Sequence, residues 1–236
     1  MKPLRLASVV LIALIAPTGS LGSSQSKSGP KPRVEITDTE TVPFVSRGTI
    51  DFKGSYGEVR VRGWDRPEVA VTLTRSLATD DTPEDRTNKE KRLKEARLSA
   101  ARQSPDRLAI SAKAPSPWFH ESMRLAYDIK IPRESDLYIK FSAGEINCTG
   151  VIGEISITEH AGEISVSLPE GEYAIDARAR IGDVSSQFPV RARRPHLIGA
   201  TATGAKGVES PSVYLRVGVG QINVIKTPHA SPKASP

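Results

Sequence analysis

Carboxylates recur at a fixed interval in the second half of this sequence. Each directly follows a glycine, at three nine-residue steps and a final step of eleven: Glu145, Glu154, Glu163, Glu172 and Asp183. If such units stack as neighbouring strands about 4.8 Å apart, their carboxylates could share a cation such as Ca²⁺. Calcium-binding nonapeptide repeats carry Gly and Asp in the turn itself, in the style GGxGxD, and this chain has no such turn. We therefore predict no metal site on these carboxylates.

Arginine supplies the strongest local charge. Five arginines lie close together in the sequence towards the C-terminus: Arg178, Arg180, Arg191, Arg193 and Arg194. If the fold groups them, they form a positive patch that could contact anionic lipid head groups or an acidic polysaccharide. The alternative is a solvated face without a partner, because exposed arginines are common on protein surfaces. The formal net charge of +6 is modest, so we expect no nucleic-acid partner.

Trp118 and Phe119 lie in a Pro-rich loop and are the second candidate binding site. Loop aromatics can anchor a partner, but they can equally fold back over a core. The sequence has no Gly-x-Ser-x-Gly elbow, no His-Glu-x-x-His and no phosphate-binding loop, and its histidines are far apart. We therefore predict no enzyme, no catalytic residue and no cofactor. Glu163 with Asp183 is the one acidic pair that a polysaccharide-cleaving enzyme could use, and it is a poor one.

The N-terminus predicts export. Residues 1–22 read as a signal peptide, with Lys2 and Arg5 before an apolar stretch and small residues at the end. Its removal takes two positive charges from the net +6 and leaves +4. We expect a periplasmic, cell-surface or extracellular protein. Cys148 is the single cysteine and stands at an apolar repeat position, so we predict a buried core residue rather than a reactive thiol.

The repeated unit also predicts how the chain is built. In Gly-Glu-Ile-x-Ile, the apolar residues point inward, the polar ones outward, and the glycine occupies a corner. Two units could form one coil, which would place Glu145, Glu163 and Asp183 on one face and Glu154 with Glu172 on another. The alternative is an antiparallel meander with a hairpin turn in each unit. Degenerate copies stand at Gly57-Glu58-Val59 and Gly220-Gln221-Ile222.

These patterns predict a mostly β protein: a β-solenoid of stacked short strands, with an N-terminal β portion that carries one surface helix. After a flexible linker at 23–32, one domain spans 33–225, divided into an N-terminal portion at 33–142 and the repeats at 143–225. Thr82 can cap the helix, which we place at 83–103. Residues 226–236 read as a disordered tail. Exposed strand edges at the ends of a solenoid could support self-association.

One segment carries a family resemblance. The run Gly63-Trp64-Asp65-Arg66-Pro67-Glu68-Val69 joins two alternating strands, and together with the later Gly-Glu-Ile repeats it resembles the bacterial putative adhesin domain family. The resemblance covers nearly all of residues 34–224, but clean repeats end at Ser186. It implies a β-solenoid body and a surface role without catalytic residues, and some members of the family are associated with cell-envelope stress.

Two functional hypotheses follow. The first is an exported, non-enzymatic envelope protein, an adhesin-like binding or scaffold module that contacts polysaccharide, anionic lipid or a surface protein. The second is a regulatory or sensory component of the cell-envelope stress response, in which the Trp118 loop or the helix would respond to a ligand.

Overall fold

The computed structural model describes residues 9–11, 32–114, 123–196, 199–204 and 210–227, and only the backbone of residues 9–11 and 194–196. This part of the chain forms thirteen strands and one helix. In chain order these are β1 (Val9–Leu11), β2 (Arg33–Pro43), β3 (Thr49–Trp64), β4 (Glu68–Ala78), α1 (Pro83–Leu93), β5 (Arg97–Ser104), β6 (Arg107–Lys113), β7 (Arg124–Pro132), β8 (Asp136–Thr149), β9 (Ile155–Leu168), β10 (Ala174–Ser186), β11 (Val190–His196), β12 (Gly199–Gly204) and β13 (Ser212–Lys226).

All strands belong to one mixed sheet. The main path runs β1-β2-β4-β7-β3-β8-β9-β13-β10-β12-β11, and the β5–β6 hairpin joins it at β3. Five central neighbours, β3, β8, β9, β13 and β10, pair in parallel, and β6 and β7 also pair in parallel with β3. The pairs β2–β4 and β4–β7 on one side, and β10–β12 and β12–β11 on the other, are antiparallel. The predicted mostly-β class is confirmed, and the flanking antiparallel strands make the whole a mixed sheet rather than a uniform solenoid. Since β8 and β9 are parallel, the alternative prediction of a hairpin turn between these two repeats is wrong.

The parallel strands share one register, set by glycines. Five glycines lie side by side in the central strands: Gly57, Gly144, Gly162, Gly220 and Gly182. Each has a positive φ, between 126° and 149°. A Cβ on Gly162 would lie 2.0 Å from the carbonyl oxygen of Gly144. Only glycine can take this backbone conformation at so close an approach, so these positions form the predicted corner.

The other glycines of the nine-residue unit have a different position. Gly153 precedes β9 and Gly171 precedes β10, and neither has a positive φ. The repeat therefore alternates between a corner and the start of a strand. Two units span the step from β8 to its neighbour β9, but the next two lead from β9 to β10, which β13 separates from β9. The degenerate copies at Gly57 and Gly220 are full members of the corner row.

Apolar residues of the strands fill one continuous interior. Before the corner, one inward row joins five strands and is 2% exposed or less: Ile50, Leu137, Ile155, Val213 and Ile175. After the corner, Cys148 lies between Val61 and Val166 and is 1% exposed. Burial raises the pKa of its thiol to about 12, so Cys148 is the protonated core residue that the sequence predicted.

Helix α1 is shorter than predicted. Thr82 caps it by accepting from the backbone N–H of Asp85, but the helix ends at Leu93, and residues 97–104 form strand β5 instead of its last turns. Leu98 and Ala100, two residues apart, are partly buried against the core where β5 pairs with β6. A period of two therefore determines the structure here, because only a strand buries both side chains. No helix in the described ranges is long and apolar enough to cross a membrane.

The chain ends of the domain also differ from expectation. Lys226 is the last residue of β13 and pairs with Leu168, so the ordered body extends past residue 225. Val9–Leu11, in the apolar stretch of the predicted signal peptide, pair antiparallel with Thr37–Thr39 of β2. The rest of residues 1–22, and most of the predicted linker and tail, lie outside the described residues.

Candidate functional site

A row of cationic side chains crosses the central sheet at right angles to its strands. In the five parallel strands, the residue four places before each corner glycine is Lys53, Lys140, Thr158, Arg216 or Arg178. The pairing partners of successive strands continue this line to Thr201 in β12 and Arg193 in β11. We call these seven residues the basic row. Five of the seven carry a positive charge.

The basic row lies on the outer surface of the sheet. In six of the seven strands the residue before the member of the row, such as Phe52 or Ile139, is buried, so the alternation of these strands directs the row outward. Lys53, Lys140 and Arg193 are exposed. Seven strands at about 4.8 Å spacing give the row a length of about 29 Å. The result is a narrow and positively charged surface.

The charges in this row are only partly neutralised. Arg216 Nη2 lies 2.6 Å from Asp176 Oδ2, and Arg178 Nε lies 3.5 Å from Asp176 Oδ1, so one carboxylate serves two guanidinium groups. Lys53 and Lys140 are direct cross-strand neighbours, and neither has an ion-pair partner in the described part of the chain. Like charges directly opposite each other destabilise a sheet. This repulsion lies on β3 and β8, which are both interior strands of the sheet.

A second row lies beside the basic row, two residues nearer the start of each strand. It contains Asp51, Tyr138, Ser156, Tyr214 and Asp176, and we call it the tyrosine row. Tyr214 is 40% exposed, and Arg216 Cζ lies 3.7 Å from the centre of its ring. Asp51 accepts from Arg107 Nε at 2.7 Å. Aromatic rings and hydrogen-bonding groups thus line one side of the cations.

The structure brings together part of the arginine patch predicted from the sequence. Arg178 and Arg193 lie in the basic row on either side of Thr201, and Arg191 continues the tyrosine row, with Thr203 between it and Asp176. Arg180 is exposed on β10, two residues beyond Arg178. The side chain of Arg194 and the whole of Trp118 and Phe119 lie outside the described residues.

The position of β11 at the edge of the sheet offers a second explanation for its arginines. It is the last strand on the path through the sheet, and Arg191, Arg193 and Pro195 stand on it. Charged residues and proline on an edge strand discourage pairing with another chain. This disfavours the self-association that we expected at this end of the sheet. Lys53 and Lys140 lie on interior strands, so protection of an edge does not explain them.

Sequence reasoning missed Lys53, Lys140 and Arg216. They are far apart in the chain, and none belongs to a local cluster. The signal was present in the repeat: aligning the corner glycines and counting back four residues gives all five parallel members of the basic row.

The predicted acidic column exists in a changed form. The residue after each corner glycine is Glu58, Glu145, Glu163, Gln221 or Asp183, in spatial order. Because β13 is inserted between β9 and β10, Gln221 separates Glu163 from Asp183, and the candidate acidic pair for polysaccharide cleavage is not adjacent. Glu163 instead accepts from Asn223 Nδ2 at 2.8 Å. Among the described residues, no group of three His, Cys, Asp or Glu side chains could hold a metal.

The second predicted acidic face does not form. Glu154 lies level with Asp136, Ser212 and Ala174 in the neighbouring strands, as the adjoining pairs show. Glu172 is two residues upstream of Ala174 and is exposed. The step from β9 to β10 is two residues longer than the step from β8 to β9, so the two carboxylates are out of register.

One carboxylate lies in the interior. Glu159 is 2% exposed and occupies the inward position between Phe141 of β8 and Val217 of β13. Within the described structure, neither of its carboxylate oxygens has a hydrogen-bond partner. Burial raises the pKa of Glu159 to about 8. The sequence did not indicate this residue, whose neighbours in β9 are ordinary strand residues.

Comparison with solved structures shows a protein with a similar fold. The structure matches all of a putative cell adhesion protein from Clostridium sporogenes over 82% of this chain, with a TM-score of 0.53 and 11% sequence identity. A putative adhesin from Parabacteroides merdae matches over 80% of each chain, with a TM-score of 0.26 and 11% identity. No protein-family model and no curated protein matches the sequence. The resemblance suggested by Gly63–Val69 and the repeats is therefore confirmed for the fold, which this chain shares with the C. sporogenes putative cell adhesion protein.

Proposed function

We propose that this protein is an exported, non-enzymatic and adhesin-like module of the cell envelope or cell surface, which binds an anionic surface component through the basic row. The observation that carries the proposal is the pair Lys53 and Lys140. These two unneutralised cations are held side by side on interior strands, where they lower the stability of the sheet. A binding partner that supplies negative charge accounts for their position.

Three further features support this function. The sequence predicts a signal peptide, which would deliver the domain to the envelope. The fold is that of a putative cell adhesion protein, although a shared fold alone does not define what is bound. The five parallel strands share one register, so the same outward position of each strand adds to one extended row on the surface.

Sedimentation with isolated cell envelopes tests the proposal. The mature chain, from residue 23, is mixed with envelopes at low and at high salt, and the bound fraction is measured. We expect retention at low salt that decreases as salt screens the charges. The double variant Lys53→Gln/Lys140→Gln should lose most of this retention. The control Lys91→Gln/Lys113→Gln removes the same charge from exposed positions on α1 and β6 and should bind like the wild type.

Two results would count against the proposal. Equal retention of both double variants would remove the basic row from the contact and direct attention to α1 or the Trp118 loop. Absence of any salt-sensitive retention of the wild type would contradict a binding role for the whole chain.

A further inference from the structure

We infer that the ligand of the basic row is a linear acidic polysaccharide, which lies across the strands with its carboxylates on the cations and its sugar rings beside the tyrosine row. This inference rests on the proposed function and specifies its ligand. It is drawn from the shape of the charged surface, the groups that flank it and the order of residues within it.

The shape of the cationic surface favours a chain-like ligand. The basic row is one side chain wide and about 29 Å long at about 4.8 Å per strand. Its order along the sheet is Lys53, Lys140, Thr158, Arg216, Arg178, Thr201 and Arg193. Charges therefore recur at one- and two-strand intervals, with a hydroxyl at each gap. A polymer with a carboxylate on successive sugar units can contact several of these cations at once.

The flanking carboxylates argue against a membrane surface as the ligand. Asp51 and Asp176 lie in the tyrosine row, directly beside the cations. A planar array of anionic head groups would bring negative charge onto both carboxylates. A single polymer chain avoids this, because only its hydroxyl groups reach the tyrosine row. Hydroxyls can donate hydrogen bonds to Asp51 and Asp176.

The tyrosines provide what a sugar chain needs in addition to charge. Tyr138 and Tyr214 are two strands apart, with Ser156 between them, so their rings are separated by about 10 Å across the sheet. Aromatic side chains bind through apolar faces and carry a polar group, which suits a sugar ring with its C–H faces and hydroxyls. Arg216 packs on the Tyr214 ring and holds its orientation.

The test uses polygalacturonate, a linear polymer of uronic acid, with the mature chain. Binding is measured by calorimetry against the polymer, galacturonate monomer, neutral dextran and vesicles of phosphatidylglycerol. We expect binding of the polymer and none of dextran, with the monomer far weaker because it cannot contact several cations at once. Lys53→Gln/Lys140→Gln should weaken polymer binding by about tenfold per lysine, since each loses a charge-assisted hydrogen bond.

Two more variants test the path of the polymer. Thr158→Glu adds a carboxylate to the middle of the basic row without removing a cation, and it should reduce polymer binding about as much as the double lysine variant. Tyr214→Ala should weaken binding of the polymer but leave its salt dependence unchanged. The control Lys91→Gln/Lys113→Gln should bind like the wild type. Unfolding curves establish that each variant is folded.

The outcomes separate this inference from the proposed function. Loss of polymer binding in the lysine and Thr158 variants, with the control unchanged, supports a glycan on the basic row. Binding of vesicles but not of the polymer would overturn the inference and leave the proposed function in place, with lipid as the ligand. Envelope retention that depends on Lys53 and Lys140, without binding of the polymer or the vesicles, would likewise overturn only the glycan.

Discussion

Glu159 gives the sharpest prediction for the stability of this fold. It is the only carboxylate among the buried residues of the described structure, and its Oε1 lies against the corner glycine Gly162. Phe141 and Val217 flank it within the sheet. An ionised carboxylate is costly in such an apolar position, so the folded protein should hold Glu159 in its neutral form.

The size and sign of the effect follow from the pKa. The carboxyl of Glu159 titrates near 4.5 in an unfolded chain and at about 8 in the folded protein. Between these values the folded state binds the extra proton, so raising the pH favours unfolding. At 1.36 kcal/mol per unit, the shift corresponds to a loss of about 5 kcal/mol of folding free energy by pH 8. Below pH 4.5 there is no loss from this group.

The perturbation is Glu159→Gln, which keeps the size of the side chain and removes its titration. Urea unfolding of wild type and variant at a series of pH values from 4 to 9 gives the difference in their unfolding free energies. We expect the unfolding free energy of the variant to rise relative to that of the wild type throughout the pH range from 4.5 to 8, by a total of about 5 kcal/mol. Glu163→Gln, an exposed control in the same strand, should show no such trend.

Parallel pH curves for wild type and Glu159→Gln would refute this reasoning. Such curves would mean that Glu159 has the same pKa in the folded and unfolded states, and hence that its carboxylate is hydrated or paired in the folded protein. A pH trend of equal size in the Glu163→Gln control would also contradict it, because the pH dependence would then come from the general charge of the sheet and not from Glu159.

Three other substitutions test the corner, the helix anchor and the helix cap by the same unfolding measurement. Gly162→Ala should destabilise by about 2–6 kcal/mol through strain and overlap. Gly171→Ala, where a Cβ makes only ordinary contacts with the Tyr173 ring and φ is not positive, should change stability by less than about 1 kcal/mol. Arg75→Leu should cost about 3–5 kcal/mol, because its buried guanidinium donates to carbonyls at the end of α1 and pairs with Asp38. Thr82→Ala should cost about 1 kcal/mol by removing the cap, and loss smaller than about 0.3 kcal/mol would contradict the capping role.

Local patterns predicted the strands well. The alternating pairs Val69 with Val71 and Leu108 with Ile110 are buried in β4 and β6, as their period of two requires. Trp64 also packs at the turn that follows it, where its Nε1 donates to the carbonyl oxygen of Glu68 at 2.8 Å. These features depend on residues close in sequence, which is why the sequence alone indicates them.

Order within the sheet depends on contacts between distant residues. Strand β13 follows β10, β11 and β12 in the chain but inserts between β9 and β10 in space. Its corner motif at Gly220 fits both neighbours equally well, since every corner has the same glycine and the same inward apolar residues. Because this motif can pair with any of its copies, the sequence does not indicate which copy becomes its neighbour in the sheet. For this reason, the prediction that Glu163 and Asp183 form an adjacent acidic pair was wrong.

The same degeneracy explains why the basic row is informative. Corner glycines and inward residues must be alike in every strand, because the backbones approach to within about 2 Å of any added Cβ and the side chains stack in one core. Outward positions have no such constraint, and a surface could vary freely there. Position four before the corner nevertheless carries Lys53, Lys140, Arg216 and Arg178 in four of five parallel strands. Packing does not require this uniformity, and the contact between Lys53 and Lys140 is electrostatically unfavourable, which is the physical argument on which we base the proposed binding of an anionic partner.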